Sequence, residues 1–398
     1  MRDHQSTQSA TGAPNASRRD LLFGASVAAA MAGAGTARAQ KRRIDHVGGA
    51  RAEKVAERLH AAQPTPALSL AAARPDGLIW AMAFGKADLE FDVNCTPAHR
   101  FKLGSVSKVL TATTAAKLAA RGQVDLDAPI SKWLKDLPAQ HRQTTLKQLL
   151  THRGGVRHYT IHDLDRATPG GALDFRAYPT NKEILETFIN DPLIGPPGAQ
   201  IAYSTFGYTL ASLVLEAAAG QHFPKLVKAE VGAPFGLTSL AEDDPQALRP
   251  MRVSAYGPSS DYRASNPLVA EGWANARQTN PAYKWAGGGF LMTPSDMARF
   301  GAALLDSAQS RITREERALL FTPITAATRQ MPPLGLAWRI DTDAKGRRRW
   351  HHAGAQEGGR ASLVIYPDLR LSIAFATNVA TIPTNVLDPS AALADAFS

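Results

Sequence analysis

Ser105-Val106-Ser107-Lys108 combines a hydroxyl nucleophile with a base three residues on, inside a run that reads as a helix. A serine hydroxyl attacks poorly until a base takes its proton, and a lysine can be that base only when it is uncharged. At a spacing of three, the two side chains lie on one helix face. Two further groups follow in chain order: Tyr203-Ser204-Thr205 and His352-Ala353-Gly354. A tyrosine hydroxyl can pass a proton between base, nucleophile and leaving group, and a histidine can supply a hydrogen bond or a positive charge. The chemistry these residue types share is acyl transfer through a serine ester. The Ser-x-x-Lys spacing alone says little, since roughly one is expected by chance in a chain of this length.

The elements that must position these groups are legible around them. Residues 105–121 lack Pro and Gly and are rich in Ala, Leu and Lys, with Gly122 placed to close a helix. Burial and the positive end of the helix both disfavour a cation at Lys108, and the Ser105 N–H at that terminus can form half of an oxyanion hole. Tyr203 follows an extended stretch, 199–202, and precedes a second Ala/Leu-rich helix over 205–219, with Ser204 as N-cap and Gly220 as stop. A packed aromatic at a helix entry is the competing reading of Tyr203. His352 lies in 347–354, beside strand-like runs at 361–366 and 371–377 joined by the turn Tyr366-Pro367-Asp368-Leu369-Arg370. On an edge strand lining a cleft, His352 would face the substrate or the tyrosine. Gly354 would let a substrate backbone approach, and the Ala355 N–H would complete the oxyanion hole. A solitary strand histidine with a purely structural role is the alternative.

In this order the three groups resemble the serine β-lactamase, penicillin-binding and esterase superfamily, in its class C-like branch. Phe101-Lys102-Leu103-Gly104, Leu149-Leu150-Thr151-His152-Arg153-Gly154-Gly155 and Thr293-Pro294-Ser295-Asp296-Met297-Ala298-Arg299-Phe300 agree with it. Three longer strings are similar to the mitochondrial β-lactamase-like serine proteases and their bacterial relatives: Arg157-His158-Tyr159, Tyr203-Ser204-Thr205-Phe206-Gly207-Tyr208-Thr209-Leu210, and Tyr283-Lys284-Trp285-Ala286-Gly287-Gly288-Gly289-Phe290. The resemblance covers most of the chain after residue 65. It implies Ser105 as nucleophile, Lys108 as base, Tyr203 as proton relay and His352 in the place of the third-motif cation.

Two departures bear on substrate. Thr205 stands where class C β-lactamases have an asparagine that holds the substrate amide, and His352-Ala353-Gly354 replaces their Lys-Thr-Gly. A threonine offers one hydroxyl in place of separate donor and acceptor ends, and a histidine is neutral much of the time at pH 7. Both weaken the case for efficient β-lactam hydrolysis and leave acyl-enzyme chemistry intact. The expected activity is a peptidase- or esterase-like hydrolase of a small peptide, ester or β-lactam-like substrate, with at most slow β-lactam turnover. A penicillin-binding protein or β-lactamase of slow turnover is the alternative within the class. An idle self-assembling scaffold is the alternative outside it, and homo-oligomerisation stays open.

Ser17-Arg18-Arg19-Asp20-Leu21-Leu22, the Ala/Gly-rich run to Thr36 and Ala37-Arg38-Ala39 read as a twin-arginine signal peptide cleaved after Ala39, directing the chain to the periplasm or beyond. The run is too short and too weakly apolar to be a membrane-spanning anchor. Loss of residues 1–39, with four Arg and two acids, lowers the net charge from +10 to +8. No basic stripe interleaved with aromatics accompanies that charge, so nucleic acid is not an expected partner. Cys95 is the only cysteine, which rules out an intramolecular disulfide.

Residues 40–398 carry no linker, and motifs spread from 105 to 354 must meet, so they read as one catalytic domain with two lobes. The expected class is α+β, an α/β sandwich. Strands at 66–74, 78–85 and between 347 and 378 would form an antiparallel sheet built from both chain ends. Helices at 50–62 and 386–397 would cover it, and a mainly helical lobe would span roughly 105–305. Within that lobe, 154–197 is a candidate cleft rim. His158 and His162, with Asp163 and Asp165, have a spacing that could hold zinc on a helix, but nearby Pro and Gly and the lack of a His-Glu-x-x-His argue against a metal. His152 and His158 read instead as groups that order the loop behind the site. No cofactor is expected.

Overall fold

The computed structural model describes residues 40–42, 48–62, 65–167, 171–263, 271–306, 311–325, 328, 331–382 and 385–398. The expected leader, 1–39, lies outside the described residues.

Both chain ends supply the main sheet. Its strands are β1 (Gln40–Arg42), β2 (Ala67–Arg74), β3 (Gly77–Asp88), β4 (Arg339–Thr342), β5 (Arg348–Gln356), β6 (Gly359–Tyr366) and β7 (Leu371–Thr377). The spatial order is β1-β3-β2-β7-β6-β5-β4, with Val93–Asn94 pairing on β3. Every pairing is antiparallel, and the N- and C-terminal portions join where β2 meets β7, Leu70 opposite Phe375 and Ala71 opposite Ala374. Strands and turns thus fall close to their expected places, and β1 and β4 are additions.

Alternation along the strands sorts the core into two layers. Leu68, Leu70, Val364, Ile373 and Phe375 meet Ala52, Ala56, Leu393 and Phe397 of the helices α1 (Gly49–Ala62) and α5 (Asp388–Phe397). The opposite residues, among them Ala71, Leu363, Ile365 and Ala374, belong to the second layer. That layer contains α2 (Ser107–Ala120), α3 (Thr205–Ala219) and α4 (Pro294–Ala303). α2 is buried on every side, including Lys108, Thr111, Thr113 and Thr114. A helix buried all round needs its polar groups answered internally. Thr113 and Thr114 donate to the carbonyls four residues back at 2.8 and 3.0 Å, and Thr111 donates to Ala286 O at 2.8 Å.

Two expectations need adjusting. The helix after the nucleophile begins at Ser107, and Ser105 sits in the 3-10 turn Gly104–Val106 that leads into it. Gly104 has φ +49, a turn that extension of α2 backwards would forbid. The segment 154–197 of the middle lobe holds only short helical turns, in keeping with its Pro and Gly content. His352 lies on the second-to-last strand of the sheet, not on its edge. β4 covers β5 only from Arg348 to His351, with Arg339 opposite His351, so among the described residues the outer side of β5 is open from His352 onward.

Candidate active site

Ser105 Oγ is the meeting point of two side chains from distant parts of the chain. Tyr203 Oη lies 2.6 Å away and Lys108 Nζ 3.2 Å away. Tyr203 is delivered by the start of α3, whose Ser204 caps it by accepting from Gly207 N at 2.8 Å. Gly220 closes that helix at φ 64.

Lys108 is fully buried, and its ammonium is held by Gly287 O at 2.6 Å, Thr205 Oγ1 at 3.3 Å and Ser105 Oγ. Burial lowers its pKa, while Tyr203 pulls it back up and Arg339 and Lys284 add to the lowering. Burial alone would raise the Tyr203 phenol; the Lys108 charge, hydrogen bonds with Lys108 and Ser105, and the Arg339 charge outweigh it and bring the phenol below its ordinary value. The two groups therefore titrate as a pair. Whichever of them is deprotonated, a proton acceptor faces Ser105 Oγ.

The backbone on the other side of Ser105 comes from β5. A Cβ on Gly354 would overlap Leu103 O and stand 2.8 Å from Ser105 N, and a Cβ on Gly104 would stand 2.8 Å from Ala355 N. Two glycines thus let the N–H groups of Ser105 and Ala355 flank a single close contact. Lys102 fastens the end of β5 from beneath, donating to Glu357 O at 3.1 Å.

Thr205 and His352 are placed near the nucleophile, His352 not as the sequence reading has it. Thr205 Oγ1 accepts from Lys108 Nζ at 3.3 Å, which ties one lone pair of the hydroxyl to the buried lysine. His352 is buried, its Nδ1 is 2.9 Å from Ala353 O, and no bond joins it to Ser105 or Tyr203. Burial, with the charges of Arg339 and Lys108, drops its pKa well below the usual value, so the ring is neutral and supplies no cation.

The cation on that side is Arg339, at the start of β4. Its guanidinium carbon lies 6.0 Å from the Tyr203 ring centroid, and it has no carboxylate partner among the described residues. Sequence reading missed it because only the β4–β5 register brings it there. His152 and His158 do order the motif. His152 Nδ1 accepts from Ser204 N at 3.1 Å with its ring 4.4 Å from that of Tyr203, and His158 Nδ1 accepts from Thr205 N at 3.2 Å. Burial, reinforced by Lys108 and Lys284, pushes His158 down to about 4, so it stays neutral. Asp163, one of the candidate metal-binding residues, instead accepts from both Nη groups of Arg157 at 2.9 Å, and among the described residues no cluster of three or more His, Cys, Asp or Glu is arranged to hold an ion.

With that geometry, comparison with known proteins has a physical counterpart. The human mitochondrial serine β-lactamase-like protein LACTB is 26% identical over 374 residues, covering 73% of this chain and 66% of that protein. The chain thus spans just under two thirds of the length of this relative. Penicillin-binding protein 4* of Bacillus subtilis (strain 168) is 23% identical over 316 residues, 77% of this chain and 67% of that protein. Among solved structures, the D-amino acid amidase of Ochrobactrum anthropi SV3 in complex with L-phenylalanine shares the fold, with a TM-score of 0.72 at 20% identity over 87% of this chain and 98% of its own. The model of the Beta-lactamase family matches residues 52–396, most of the chain and all of the site described above, so the chain belongs to the Beta-lactamase family.

Proposed function

We propose that the chain is a serine hydrolase working through an acyl-enzyme on Ser105, peptidase- or esterase-like in its substrates and at most a slow β-lactamase. The observation that carries this reading is the convergence of Tyr203 Oη and buried Lys108 Nζ on Ser105 Oγ, at 2.6 and 3.2 Å. Within it, Ser105 Oγ attacks the substrate carbonyl and its proton passes to the Lys108–Tyr203 pair. The developing oxyanion is held by the Ser105 and Ala355 N–H groups, an arrangement worth several kcal/mol in such reactions. The leaving group takes a proton from the pair, and water then releases the acyl group by the reverse sequence. Gly354, whose missing side chain faces Leu103 and Ser105 rather than open space, keeps β5 against the nucleophile's turn, and Arg339, with His352 neutral, is the charge available to an anionic substrate group.

The absent amide-holding residue at Thr205 and the neutral His352 favour peptide or ester substrates over β-lactams. In this reading residues 40–398 act as one catalytic domain, which the falling of the described residues into one compact unit supports. Residues 1–39 act as a twin-arginine leader cleaved after Ala39, and no helix among the described residues is long and apolar enough to cross a membrane.

The test is intact-mass spectrometry of the protein and its Ser105→Ala variant after treatment with a fluorophosphonate, a penicillin and a p-nitrophenyl ester. A Ser105-dependent adduct or turnover is expected. Penicillin trapped without release would favour the slow penicillin-binding alternative. Absence of any adduct would favour the scaffold reading, which sedimentation would then check.

A further inference from the structure

Away from the nucleophile, a cavity of about 440 Å³ lies at the N-terminus of α4, where its lining includes Arg100, Thr238, Pro250, Met251, Ser295 and Arg299. It shares no lining residue with the acyl-transfer site. Its walls are tied together. Arg100 N donates to Met251 O at 2.7 Å, and Val253 N donates to Arg100 O at 3.1 Å. Ser239 holds the start of α4, its Oγ donating to Asp296 Oδ2 at 2.6 Å and accepting from Thr293 N at 3.0 Å.

The polar groups left over at this cavity are donors. The first residue of α4, Pro294, has no N–H, and Asp296 N donates to the Thr293 cap at 3.1 Å. Ser295 N–H is thus left at the positive end of the helix with no acceptor among the described residues. The Ser295 side chain is also unanswered: the residue is 7% exposed, and its Oγ has no hydrogen-bond partner among the described residues. Buried hydroxyls are normally paired. One turn on, Arg299 gives Nη1 to Asp296 Oδ1 at 2.8 Å, and its other N–H groups have no acceptor among the described residues. Arg100 donates from Nη1 to Pro250 O at 2.8 Å and from Nη2 to Thr238 O at 3.5 Å, and it has no carboxylate partner there. Asp296, the one acid of the lining, has both oxygens engaged, Oδ1 by Arg299 and Oδ2 by Ser239 N and Oγ. Two guanidinium groups therefore stand against a single, occupied carboxylate.

We propose that this cavity binds a phosphate group, with Ser295 N–H and Oγ, Arg299 and Arg100 as its donors. A helix N-terminus favours an anion through its dipole and its free N–H. A phosphate presents acceptor oxygens in several directions, and a helix end, a hydroxyl and two guanidinium groups from separate segments of the chain meet them with charge-assisted hydrogen bonds. Pro250 and Met251 add apolar surface, and the cavity has the size of a site for a small organic molecule. The ligand class is accordingly a small organic phosphate monoester, free phosphate being the same chemistry without the organic part. Binding here needs no acyl-enzyme, and no bond of the ligand is made or broken.

Isothermal titration calorimetry of the whole protein with phenyl phosphate and, separately, inorganic phosphate tests the site. Saturable binding is expected, weakened about tenfold or more in Ser295→Ala/Arg100→Gln, which removes hydrogen bonds to a charged group. Arg339→Gln, which removes the cation beside Tyr203, should leave it unchanged. Tighter binding of phenyl phosphate supports the organic monoester, and equal affinity for the two probes supports a site for free phosphate. Circular dichroism is the fold control. If the double variant folds poorly, Ser295→Asp replaces it: a carboxylate suits the first turn of a helix and should block phosphate by occupying and repelling at the same place. Absence of saturable binding by either probe, affinity indifferent to the Ser295 variants, or binding lost in Arg339→Gln instead, overturns the site. Each of these outcomes leaves the Ser105 hydrolase reading untouched.

Discussion

Gly354 and Ser105 are in such close backbone contact that a single methyl group does not fit between strand and turn: a Cβ on Gly354 would stand 2.8 Å from Ser105 N and overlap Leu103 O. The nucleophile's turn and the end of β5 are therefore held against each other by the absence of a side chain. Gly354→Ala must push them apart, and with them the proposed oxyanion donors. A loss in kcat of about 10²-fold or more is expected, the size seen when one oxyanion donor is removed. Esterase kinetics with circular dichroism as a fold control measure it, and an unaltered kcat would remove these N–H groups from the mechanism.

Lys108→Ala should lower acylation by about 10³-fold or more, since members of a catalytic unit fail together. Tyr203→Phe keeps the ring packing and removes the 2.6 Å contact to Ser105, with an expected loss of about 10²- to 10⁴-fold. Burst kinetics with a p-nitrophenyl ester separate acylation from turnover. A near wild-type rate in either variant would demote that residue to packing.

The pH dependence should carry an alkaline-side ionisation and none from histidine. Lys108 and Tyr203 are both shifted below their ordinary values, so the rate should rise with pH through an ionisation lower than a free lysine's. His158, at about 4, and His152 and His352, both well below 6.5, are already neutral in that range. The Arg339 charge contributes to lowering both members of the pair, so Arg339→Gln should move the limb to higher pH. The same variant should raise KM for substrates with a free carboxylate more than for neutral ones. A limb that stays in place would separate Arg339 from the pair electrostatically.

His152 has φ 58, a conformation few non-glycine residues adopt, while its ring packs on Tyr203 and its Nδ1 accepts from Ser204 N. His152→Ala leaves that buried N–H without a partner and should cost about 2 kcal/mol or more of stability. His152→Asn tolerates the backbone and retains an acceptor, so it should recover a large part of both stability and kcat. Chemical denaturation alongside kinetics decides this, and equal losses in the two variants would refute the role.

Export is checked at the other end of the chain. Expressed in a bacterium with a functional twin-arginine pathway, the protein should mature with Gln40 at its N-terminus, and Arg18→Lys/Arg19→Lys should leave the precursor inside. N-terminal sequencing of the mature form reads the cleavage position directly.

What the sequence alone determined is local. The strands at 361–366 and 371–377, the Ser204 cap, the Gly122 and Gly220 stops and the Ser-x-x-Lys spacing are all written in runs of neighbouring residues, where periodicity and capping chemistry act over a few positions. The three motifs in their order carried the superfamily resemblance, and the longer strings near Tyr203 and Tyr283 carried the likeness to its mitochondrial β-lactamase-like branch. The sequence could not show where charges that are far apart along the chain come to rest. Arg339 reaches the site through the register of β4 against β5, and Asp174 meets Lys284 across 110 positions. His352 loses its charge because it is buried, and one lone pair of Thr205 Oγ1 is engaged because Lys108 lies beside it. Burial and long-range pairing set protonation and donor availability, and both arise only when the tertiary fold brings the sheet and the helical lobe together.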